Sequence, residues 1–396
     1  MVIEHTDCNT NMPIIPTPYQ QYQGVWTLSQ ASDAVAQGNW PVAGPKLYAW
    51  GKNDYGQLGL NNLTSYSSPK QVGSLGNWSS LTGAYGFSLA INTSGKLLSW
   101  GYNSYGELAL GNTTPYSSPK QVGSLATWSQ VSASWNGQFA VAALKTDGTL
   151  WTWGYNVRGQ LGLGNNTSYS SPKQVGALTN WLSISSGSYH VLAIKTNGTL
   201  WSWGFNNQGQ LGTNNTTYYS SPVQVGALTT WSKVSSGNYY NLATKTDGTL
   251  WAWGWNPIGN LGFGNTTYYS SPKQVGALTN WASVSATSQA SYAIKTDGTL
   301  WSWGANTNGA LGLGNTTSYS SPKQIGVLTT WSKIFGGLYS GYAIKTDGTL
   351  WGWGQNTNGQ LGLGNITNYS SPKQVGSLTT WLNVVAGHYY ALATHS

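Results

Sequence analysis

Residues 145–162 read KTDGTLWTWGYNVRGQLG, and close copies of this stretch recur along the chain from residue 46 onward. The Trp-Gly pair at its centre occurs seven times, at spacings of 50, 53, 50, 50, 50 and 50 residues. A second Trp follows each first Trp after 28 residues. The first tryptophans are Trp50, Trp100, Trp153, Trp203, Trp253, Trp303 and Trp353, and the second are Trp78, Trp128, Trp181, Trp231, Trp281, Trp331 and Trp381. A fixed period near 50 residues indicates a repeat architecture.

Each copy contains signals for about four short β-strands. Asp147-Gly148 separates two β-prone runs, and Asp-Gly is a strong signal for a tight hairpin. The proline of the recurring Tyr-Ser-Ser-Pro stretch cannot donate a ladder hydrogen bond, so we expect it at a strand start or on an edge strand. Four strands are the content of one propeller blade. We therefore predict an all-β fold, a seven-bladed β-propeller over residues 46–396.

The two ends of the chain predict how the ring closes. Residues 47–51 form a candidate strand with no preceding partner, and the last copy stops at Ser396 before its own equivalent strand. An open array would leave both edges free to pair with other chains. We predict that the N-terminal strand completes the seventh blade, since seven blades at roughly 51° each close a circle.

The repeat resembles that of the regulator-of-chromosome-condensation family. The motif W-G-x-N-x-x-G-Q-L-G is present from Trp153 to Gly162, and a downstream Gly-x-x-His-x-x-Ala element includes His190. The copies depart from the motif at Glu107, Ala109, Asn260 and Ala310. The resemblance implies a seven-bladed propeller and a structural role for His190. For the nuclear members of the family it also implies guanine-nucleotide exchange or chromatin binding.

Composition excludes several classes of protein. Only 7% of the 396 residues are charged, against about 25% in typical soluble domains. No run of 18 apolar residues is present, so we expect no transmembrane helix. The first residues lack the pattern of a secretory signal peptide, which predicts that the protein is made in the host cytoplasm without such a signal. A single cysteine, Cys8, cannot form an internal disulfide.

The net charge of +8 comes largely from lysines in two repeated positions. One set contains Lys70, Lys120, Lys173, Lys273, Lys323 and Lys373, and the other contains Lys145, Lys195, Lys245, Lys295 and Lys345. Duplication therefore spreads the charge around the molecule, and exposed charges more than about 10 Å apart are largely screened at 0.1 M salt. We do not expect nucleic acid to be the partner.

Residues 1–45 lie outside the repeat. The stretch 29–37 is a candidate short helix, with Ser29 as cap and Gly38 at its end. Gly24-Val25-Trp26, Leu28 and the later Trp40-Pro41 resemble short modules near the start of bacteriophage tail and other virion proteins. We interpret this segment as a virion anchor, with a strap packed across the propeller as the alternative.

Few residues are available for catalysis. Catalytic sites need titratable or nucleophilic groups held together, and the chain has nine acidic residues, four of them at hairpin turns. Asp54 and Glu107, on neighbouring copies, form the one conceivable carboxylate pair. His190 and His388 belong to distant copies, whereas a zinc site needs three or four ligands that converge. We expect no enzyme activity, no metal site and no cofactor.

Positions that vary between copies are the candidate binding residues. Framework positions stay fixed because they pack, whereas loop tips are free to specialise. Aromatic residues give large contact areas at low entropic cost, although packing between blades is an alternative role for them. The candidates are Phe87, Trp135, Arg158, Tyr189, His190, Tyr239, Tyr240, Trp255, Tyr339, Tyr389 and Tyr390.

Three functions compete at this point. The first is a non-enzymatic bacteriophage virion component, in the tail, a fibre or the capsid surface, that presents a rigid propeller for attachment or assembly. Residues 1–45 would then contact other virion proteins, within a homo-oligomer or larger assembly. The second is a lectin-like propeller that binds a host-surface glycan or protein. The third, implied by the family resemblance, is a guanine-nucleotide exchange factor or chromatin-binding protein.

Overall fold

The computed structural model describes residues 44–134 and 139–396. The predicted helix at 29–37, almost all of the predicted anchor at 1–45, and Trp135 lie outside the described residues. Within the described residues, 28 β-strands form seven four-stranded antiparallel sheets, and one 3-10 helix spans Thr307–Gly309. The prediction of an all-β, seven-bladed propeller is confirmed.

The blades are numbered in chain order. Blade 1 contains β3 Trp78–Gly83, β4 Phe87–Asn92, β5 Leu97–Gly101 and β6 Tyr116–Gln121. Blade 2 contains β7 Trp128–Ala133, β8 Ala140–Lys145, β9 Leu150–Gly154 and β10 Tyr169–Gln174. Blade 3 contains β11 Trp181–Ser186, β12 His190–Lys195, β13 Leu200–Gly204 and β14 Tyr219–Gln224. Blade 4 contains β15 Trp231–Ser236, β16 Tyr240–Lys245, β17 Leu250–Gly254 and β18 Tyr269–Gln274.

The remaining blades repeat the pattern. Blade 5 contains β19 Trp281–Ala286, β20 Ala290–Lys295, β21 Leu300–Gly304 and β22 Tyr319–Gln324. Blade 6 contains β23 Trp331–Gly336, β24 Ser340–Lys345, β25 Leu350–Gly354 and β26 Tyr369–Gln374. Blade 7 contains β27 Trp381–Ala386 and β28 Tyr390–His395 from one end of the chain, with β1 Lys46–Gly51 and β2 Tyr66–Gln71 from the other.

Blade 7 confirms the predicted ring closure. Its strand order is β2-β1-β28-β27, and β1 pairs with β28 from Lys46 opposite His395 to Gly51 opposite Tyr390. Two of the four strands, β27 and β28, come from the C-terminal side, and two, β1 and β2, come from the N-terminal side. The sequence analysis predicted only one N-terminal strand, β1. The seventh sheet is therefore complete, because β1 covers the edge of β28 that would be unpaired in an open array.

Tryptophans from the first series connect each blade to the one before it. The indole N–H of Trp203 in blade 3 donates to the Gln160 carbonyl of blade 2 at 3.0 Å. The other six tryptophans of this series make the same bond to the preceding blade. All seven are fully buried. Because each can bury about 150–250 Å², they form the apolar contact between neighbouring sheets.

The outer strands carry the prolines. Pro222 lies in β14, which pairs only with β13, so its missing N–H removes no bond from the interior of the sheet. The same position is occupied by proline in the outer strand of all seven blades. The prediction that this proline lies on an edge strand is confirmed.

The innermost strands line a central cavity of about 150 Å³. At five of the seven junctions between blades, a hydroxyl on one inner strand accepts the backbone N–H of the next inner strand. The donor–acceptor distances are 2.8–3.1 Å, for Thr82, Ser132, Ser185, Ser235 and Ser285. Phe335 and Val385 take this position in blades 6 and 7, so the hydroxyl ring is interrupted there.

Candidate functional site

The variable positions of the repeat come together on one face of the propeller. In each blade the turn after the first strand lies beside the residue that follows the third strand, because antiparallel neighbours meet at the same sheet edge. The Phe205 N–H, for example, donates to the Tyr189 carbonyl at 2.9 Å, and the Trp255 N–H donates to the Tyr239 carbonyl at 2.9 Å. We call this surface the tip face, and the opposite surface the base face.

Five aromatic side chains of blades 3 and 4 form a continuous patch on the tip face. Tyr189 stacks on Tyr239 at 6.1 Å between ring centroids, and Phe205 lies 5.5 Å from the first and 5.9 Å from the second. Tyr218 contacts Phe205 at 4.8 Å, and Trp255 meets Tyr239 edge-on at 6.4 Å. We call these five residues the first aromatic cluster.

The only arginine of the chain lies against this cluster. The Arg158 guanidinium is 5.7 Å from the centre of the Phe205 ring, within the range of a cation–π contact. Its backbone N–H donates to the Gln160 side chain at 2.8 Å, which fixes the loop that carries it. Arg158 itself is exposed, while Tyr189, Phe205, Tyr239 and Trp255 are half-buried. The cluster is thus anchored and still accessible.

A second aromatic cluster covers blades 7, 1 and 2 on the same face. Phe139 lies at its centre, 5.0 Å from Tyr102, 5.2 Å from Tyr105 and 5.9 Å from Tyr85. Its other members are Tyr55, Tyr155, His388 and Tyr389. Blade 5 has Gln289 and Ala305 in the corresponding places, and blade 6 has Tyr339 beside Gln355, so the aromatic surface is interrupted in this part of the ring.

Charge is scarce within the second cluster. Lys52 forms an ion pair with Asp54 at 2.9 Å, and hydrogen bonding to Asp54 raises the pKa of the lysine. Burial lowers the pKa of His388 to about 4, and the neighbouring Lys52 acts in the same direction. The imidazole is therefore neutral at neutral pH, and it stacks on Tyr85 with 4.8 Å between centroids. The surface is aromatic and nearly uncharged.

Four of the predicted site residues are not at loop tips. Phe87, His190, Tyr240 and Tyr390 are the first residues of β4, β12, β16 and β28, and each is at most 1% exposed. Their neighbours Tyr189, Tyr239 and Tyr389 occupy the tip one residue earlier. The structure corrects their predicted placement at loop tips, because successive side chains of a strand point to opposite faces and a one-residue step turns the side chain inward. Their burial agrees with the alternative role given above, packing between blades.

These inward residues hold neighbouring blades together. His190 Nε2 contacts Asn241 Oδ1 of the next blade at 2.8 Å. The Tyr240 hydroxyl donates to the Ala290 carbonyl of blade 5 at 2.6 Å. The Tyr390 hydroxyl accepts the Ala84 N–H of blade 1 at 3.1 Å. Burial raises the pKa of both tyrosines, so they stay protonated, and the donation from Tyr240 to Ala290 requires that proton.

The other predicted residues divide into two groups. Arg158, Tyr189, Tyr239 and Trp255 come together in and around the first cluster, and Tyr389 belongs to the second. Tyr339 is a half-buried tip residue of blade 6. The sequence reasoning missed several members of the clusters. The position after Trp-Gly would have revealed them, since four consecutive copies have an aromatic residue there: Tyr102, Tyr155, Phe205 and Trp255.

The two carboxyl groups of the predicted pair have different surroundings in the structure. Glu107 is fully buried, and desolvation raises its pKa to about 7. Asp54 is engaged with Lys52. Among residues 44–134 and 139–396, no group of three or more His, Cys, Asp or Glu side chains is placed to hold a metal ion. In the same part of the chain, no helix has the length and apolar character needed to cross a membrane.

Known proteins share this sequence repeat and this fold. The Regulator of chromosome condensation (RCC1) repeat model matches residues 46–91, 94–141, 147–194, 197–244, 247–294, 297–344 and 347–394. The Ultraviolet-B receptor UVR8 of Arabidopsis thaliana is 28% identical over 168 residues, which span 42% of this chain and 38% of the receptor. The match thus covers less than half of that relative's length.

Solved structures with the same fold are similar over nearly the whole chain. Human WBSCR16 superposes with a TM-score of 0.79 at 20% identity, covering 89% of this chain and 99% of that one. Prp20p from Saccharomyces cerevisiae gives a TM-score of 0.77 at 19% identity, covering 89% and 92%. At these identities the likeness establishes the fold alone. The seven repeat matches, which cover most of the sequence, show that the chain belongs to the regulator of chromosome condensation repeat family.

Proposed function

We propose that this propeller is a binding protein that holds a partner protein on its tip face. The observation that carries the proposal is the first aromatic cluster with Arg158 beside it. Tyr, Trp and Arg are the residues that most often dominate the binding energy of protein interfaces. Here they stand on short turns between paired strands, so little conformational entropy is lost when a partner binds.

Family relatives support a protein as the partner. The work on Prp20p describes its binding to Gsp1p and histones, and another structure shows Kap60 bound to yeast RCC1. We therefore propose that guanine-nucleotide exchange or chromatin binding, rather than nucleic-acid binding through a basic surface, is the activity to test first. The even spread of lysines around the ring also favours testing a protein partner before nucleic acid.

The test measures direct binding of the full chain to Gsp1p and, separately, to histone octamers by biolayer interferometry. The variant combines Arg158→Ala, Tyr239→Ala and Trp255→Ala. We expect it to bind at least about 30-fold more weakly, since hot-spot side chains contribute about 2 kcal/mol or more each. A matched control changes three tip-face residues outside both clusters, Gln289→Ala, Gln355→Ala and Thr357→Ala.

Two results would reject the proposal in this form. If the cluster variant and the control bind the same protein equally well, the cluster is not the contact surface. If the unaltered chain binds neither Gsp1p nor histones at micromolar concentration, those two partners are excluded.

We also propose that the chain is not an enzyme. In the described residues Glu107 is buried under the tip face and Asp54 is paired, so neither is placed as a free carboxylate beside the other. Conversion of a chromogenic glycoside panel by the purified chain, abolished by Glu107→Gln, would contradict this proposal.

The virion role remains a proposal that rests on residues 24–28 and Trp40-Pro41 of the sequence. In it, residues 1–45 attach the propeller to other proteins on the surface or tail of a bacteriophage particle. Sedimentation of the full chain and of a chain lacking residues 1–44 tests this. Defined oligomers that become monomers on truncation would support it, and monomers in both cases would count against it.

A further inference from the structure

Two similar grooves lie at the junction of blades 1 and 2 and at the junction of blades 5 and 6, and no residue of the two aromatic clusters lines them. We name each groove by the later blade, which supplies its lysine and both tryptophans. In blade 2 the groove is lined by Trp128, Lys145, Trp151, Leu125 and Pro172, and its volume is about 300 Å³. The equivalent groove of blade 6 is lined by the matching residues and measures about 320 Å³. These volumes are at the lower end of the range for small-molecule sites. Blades 3, 4 and 5 have the same lysine and tryptophan residues in the corresponding places.

In all five blades the lysine stacks on tryptophan. Lys145 Nζ lies 3.7 Å from the centroid of Trp151 and 5.1 Å from that of Trp128. In blades 3 to 6 the corresponding distances to the nearer ring are 3.5–4.0 Å, for Lys195, Lys245, Lys295 and Lys345. Among the described residues the only ion pair joins Lys52 and Asp54, so none of these five ammonium groups has a carboxylate within 4 Å.

The burial of Lys145 in the groove has an energetic consequence. Burial lowers the pKa of Lys145, because the charged ammonium has lost part of its hydration. A nearby Asp147 acts in the opposite direction without reaching ion-pair distance. An anionic group bound in the groove would stabilise the charged ammonium in place of the lost hydration.

The aromatic wall of the groove is held in place before any ligand arrives. The Trp151 indole N–H donates to the Thr149 hydroxyl at 2.8 Å, and that hydroxyl donates to Asp147 at 2.7 Å. The same chain of bonds fixes the matching tryptophan in blades 3 to 6, with Asn197 in place of Asp in blade 3. A preorganised wall reduces the entropy lost on binding.

The mouth of the groove is apolar and open. Leu125 is 50% exposed and Leu328 is 45% exposed, and Trp151 and Trp351 are half-buried. A ligand suited to this site has an apolar face for the indole and leucine, and a carboxylate for the lysine. A pyranose ring with a carboxylate has both, because its C–H groups can lie on an aromatic face, which carries partial negative charge.

We propose that the lysine–tryptophan grooves of blades 2 to 6 are binding sites for acidic sugars of the hexuronate type. Five equivalent sites around one ring suit a polysaccharide, because a second contact on the same polymer becomes intramolecular. Nucleic acid is the less suitable ligand, since it carries a charge every ~1.7 Å and each groove offers a single cation. This inference is independent of the proposed tip-face function.

The experiment titrates the full chain with trigalacturonate at neutral pH and low salt, and follows tryptophan fluorescence and heat of binding. The groove variant carries Lys145, Lys195, Lys245, Lys295 and Lys345 all changed to Met, which keeps the stems that pack on tryptophan. The control variant removes the same number of charges from the exposed outer strands, at Lys120, Lys173, Lys273, Lys323 and Lys373. We expect the groove variant to bind about tenfold more weakly than the control, the loss of one charge-assisted contact per site.

Further arms identify the ligand chemistry. The methyl-esterified trisaccharide should bind about tenfold more weakly than the acid, and tripolyphosphate and single-stranded DNA should not compete. Equal binding by the two lysine variants, equal binding of ester and acid, or competition by tripolyphosphate or DNA would overturn the proposal. If the groove variant fails to fold, exposed Leu125, Leu178, Leu228, Leu278 and Leu328 changed to Asp provide the second test, because the added carboxylates should repel the uronate. Unchanged binding by that variant would also overturn it.

Discussion

Replacing Glu107 by Gln should stabilise this protein at high pH. Glu107 occupies the position at which four other blades have glutamine: Gln57, Gln160, Gln210 and Gln360. Its Oε2 accepts the Tyr105 N–H at 2.7 Å, and its buried Oε1 has no hydrogen-bond partner among the described residues. Since Gln160 makes the same bond through its own Oε1, the Glu107→Gln side chain can keep the bond without a charge.

The magnitude follows from the pKa of the buried carboxyl. Desolvation raises the pKa of Glu107 from its usual 4.5 to about 7. A folded-state pKa above the unfolded value means that the native state binds the proton more tightly, so stability falls as pH rises from the lower value through the higher one. The raised pKa of Glu107 therefore lowers the free energy of unfolding by about 3 kcal/mol at pH 8 and by about 1 kcal/mol at pH 5. Because Glu107 is fully buried, solvent screening does not reduce this figure.

Urea unfolding of the unaltered chain and of Glu107→Gln at pH 5 and pH 8 measures the effect. We expect the variant to gain about 3 kcal/mol at pH 8 and about 1 kcal/mol at pH 5. The matched control is Gln160→Glu, which places the same carboxyl in the next blade and should lose a similar amount at pH 8. An equal effect of Glu107→Gln at both pH values would refute the reasoning, since the carboxyl would then titrate as it does in water.

Further predictions concern the tryptophans, one histidine and the ring closure. Trp203→Phe should cost about 1–3 kcal/mol more than Trp181→Phe in the same blade, because only the Trp203 N–H has a hydrogen-bond partner among the described residues; urea midpoints compare the two. Burial lowers the pKa of His190 to about 4. The stability that the neutral His190 side chain contributes is therefore fully present above about pH 6.5 and is lost as pH falls toward 4. The free energy of unfolding should therefore fall by about 3 kcal/mol less in His190→Gln than in the unaltered chain between pH 6.5 and pH 4, as measured by urea unfolding at both pH values. Deleting residues 1–51 should abolish cooperative melting and cause aggregation in light scattering, because β28 loses its partner β1; a soluble deletion variant with one sharp transition would contradict the closure.

The fold could be predicted because each copy repeats the same local signals. Trp-Gly, Asp-Gly and Ser-Ser-Pro recur at fixed distances, and each has one structural meaning in a blade. The position of Pro222 on an edge strand followed from such a local rule. The pairing of β1 with β28 followed from the incomplete copies at the two ends of the repeat array.

The candidate site could be predicted only in part. Tyr189 and His190 are adjacent in sequence, yet His190 lies inside the sheet while Tyr189 lies at the surface. The exact first residue of a strand decides this, and strand boundaries follow from the packing of the whole sheet. The contact between Arg158 and Phe205 joins two blades, so no local pattern contains it.

The shared seventh blade also sets an order of events during biosynthesis. Within the propeller, β1 and β2 are made before the other strands, and their partners β28 and β27 are made after them; the Trp50–Gln360 hydrogen bond joins residues 310 positions apart. The other six blades are each continuous in sequence and can form as they emerge. The N-terminal strands β1 and β2 can pair with each other, but the free edge of β1 must wait for β28 until the six intervening blades have been made. During that interval the edge is open to wrong pairing with the near-identical repeats of the same chain.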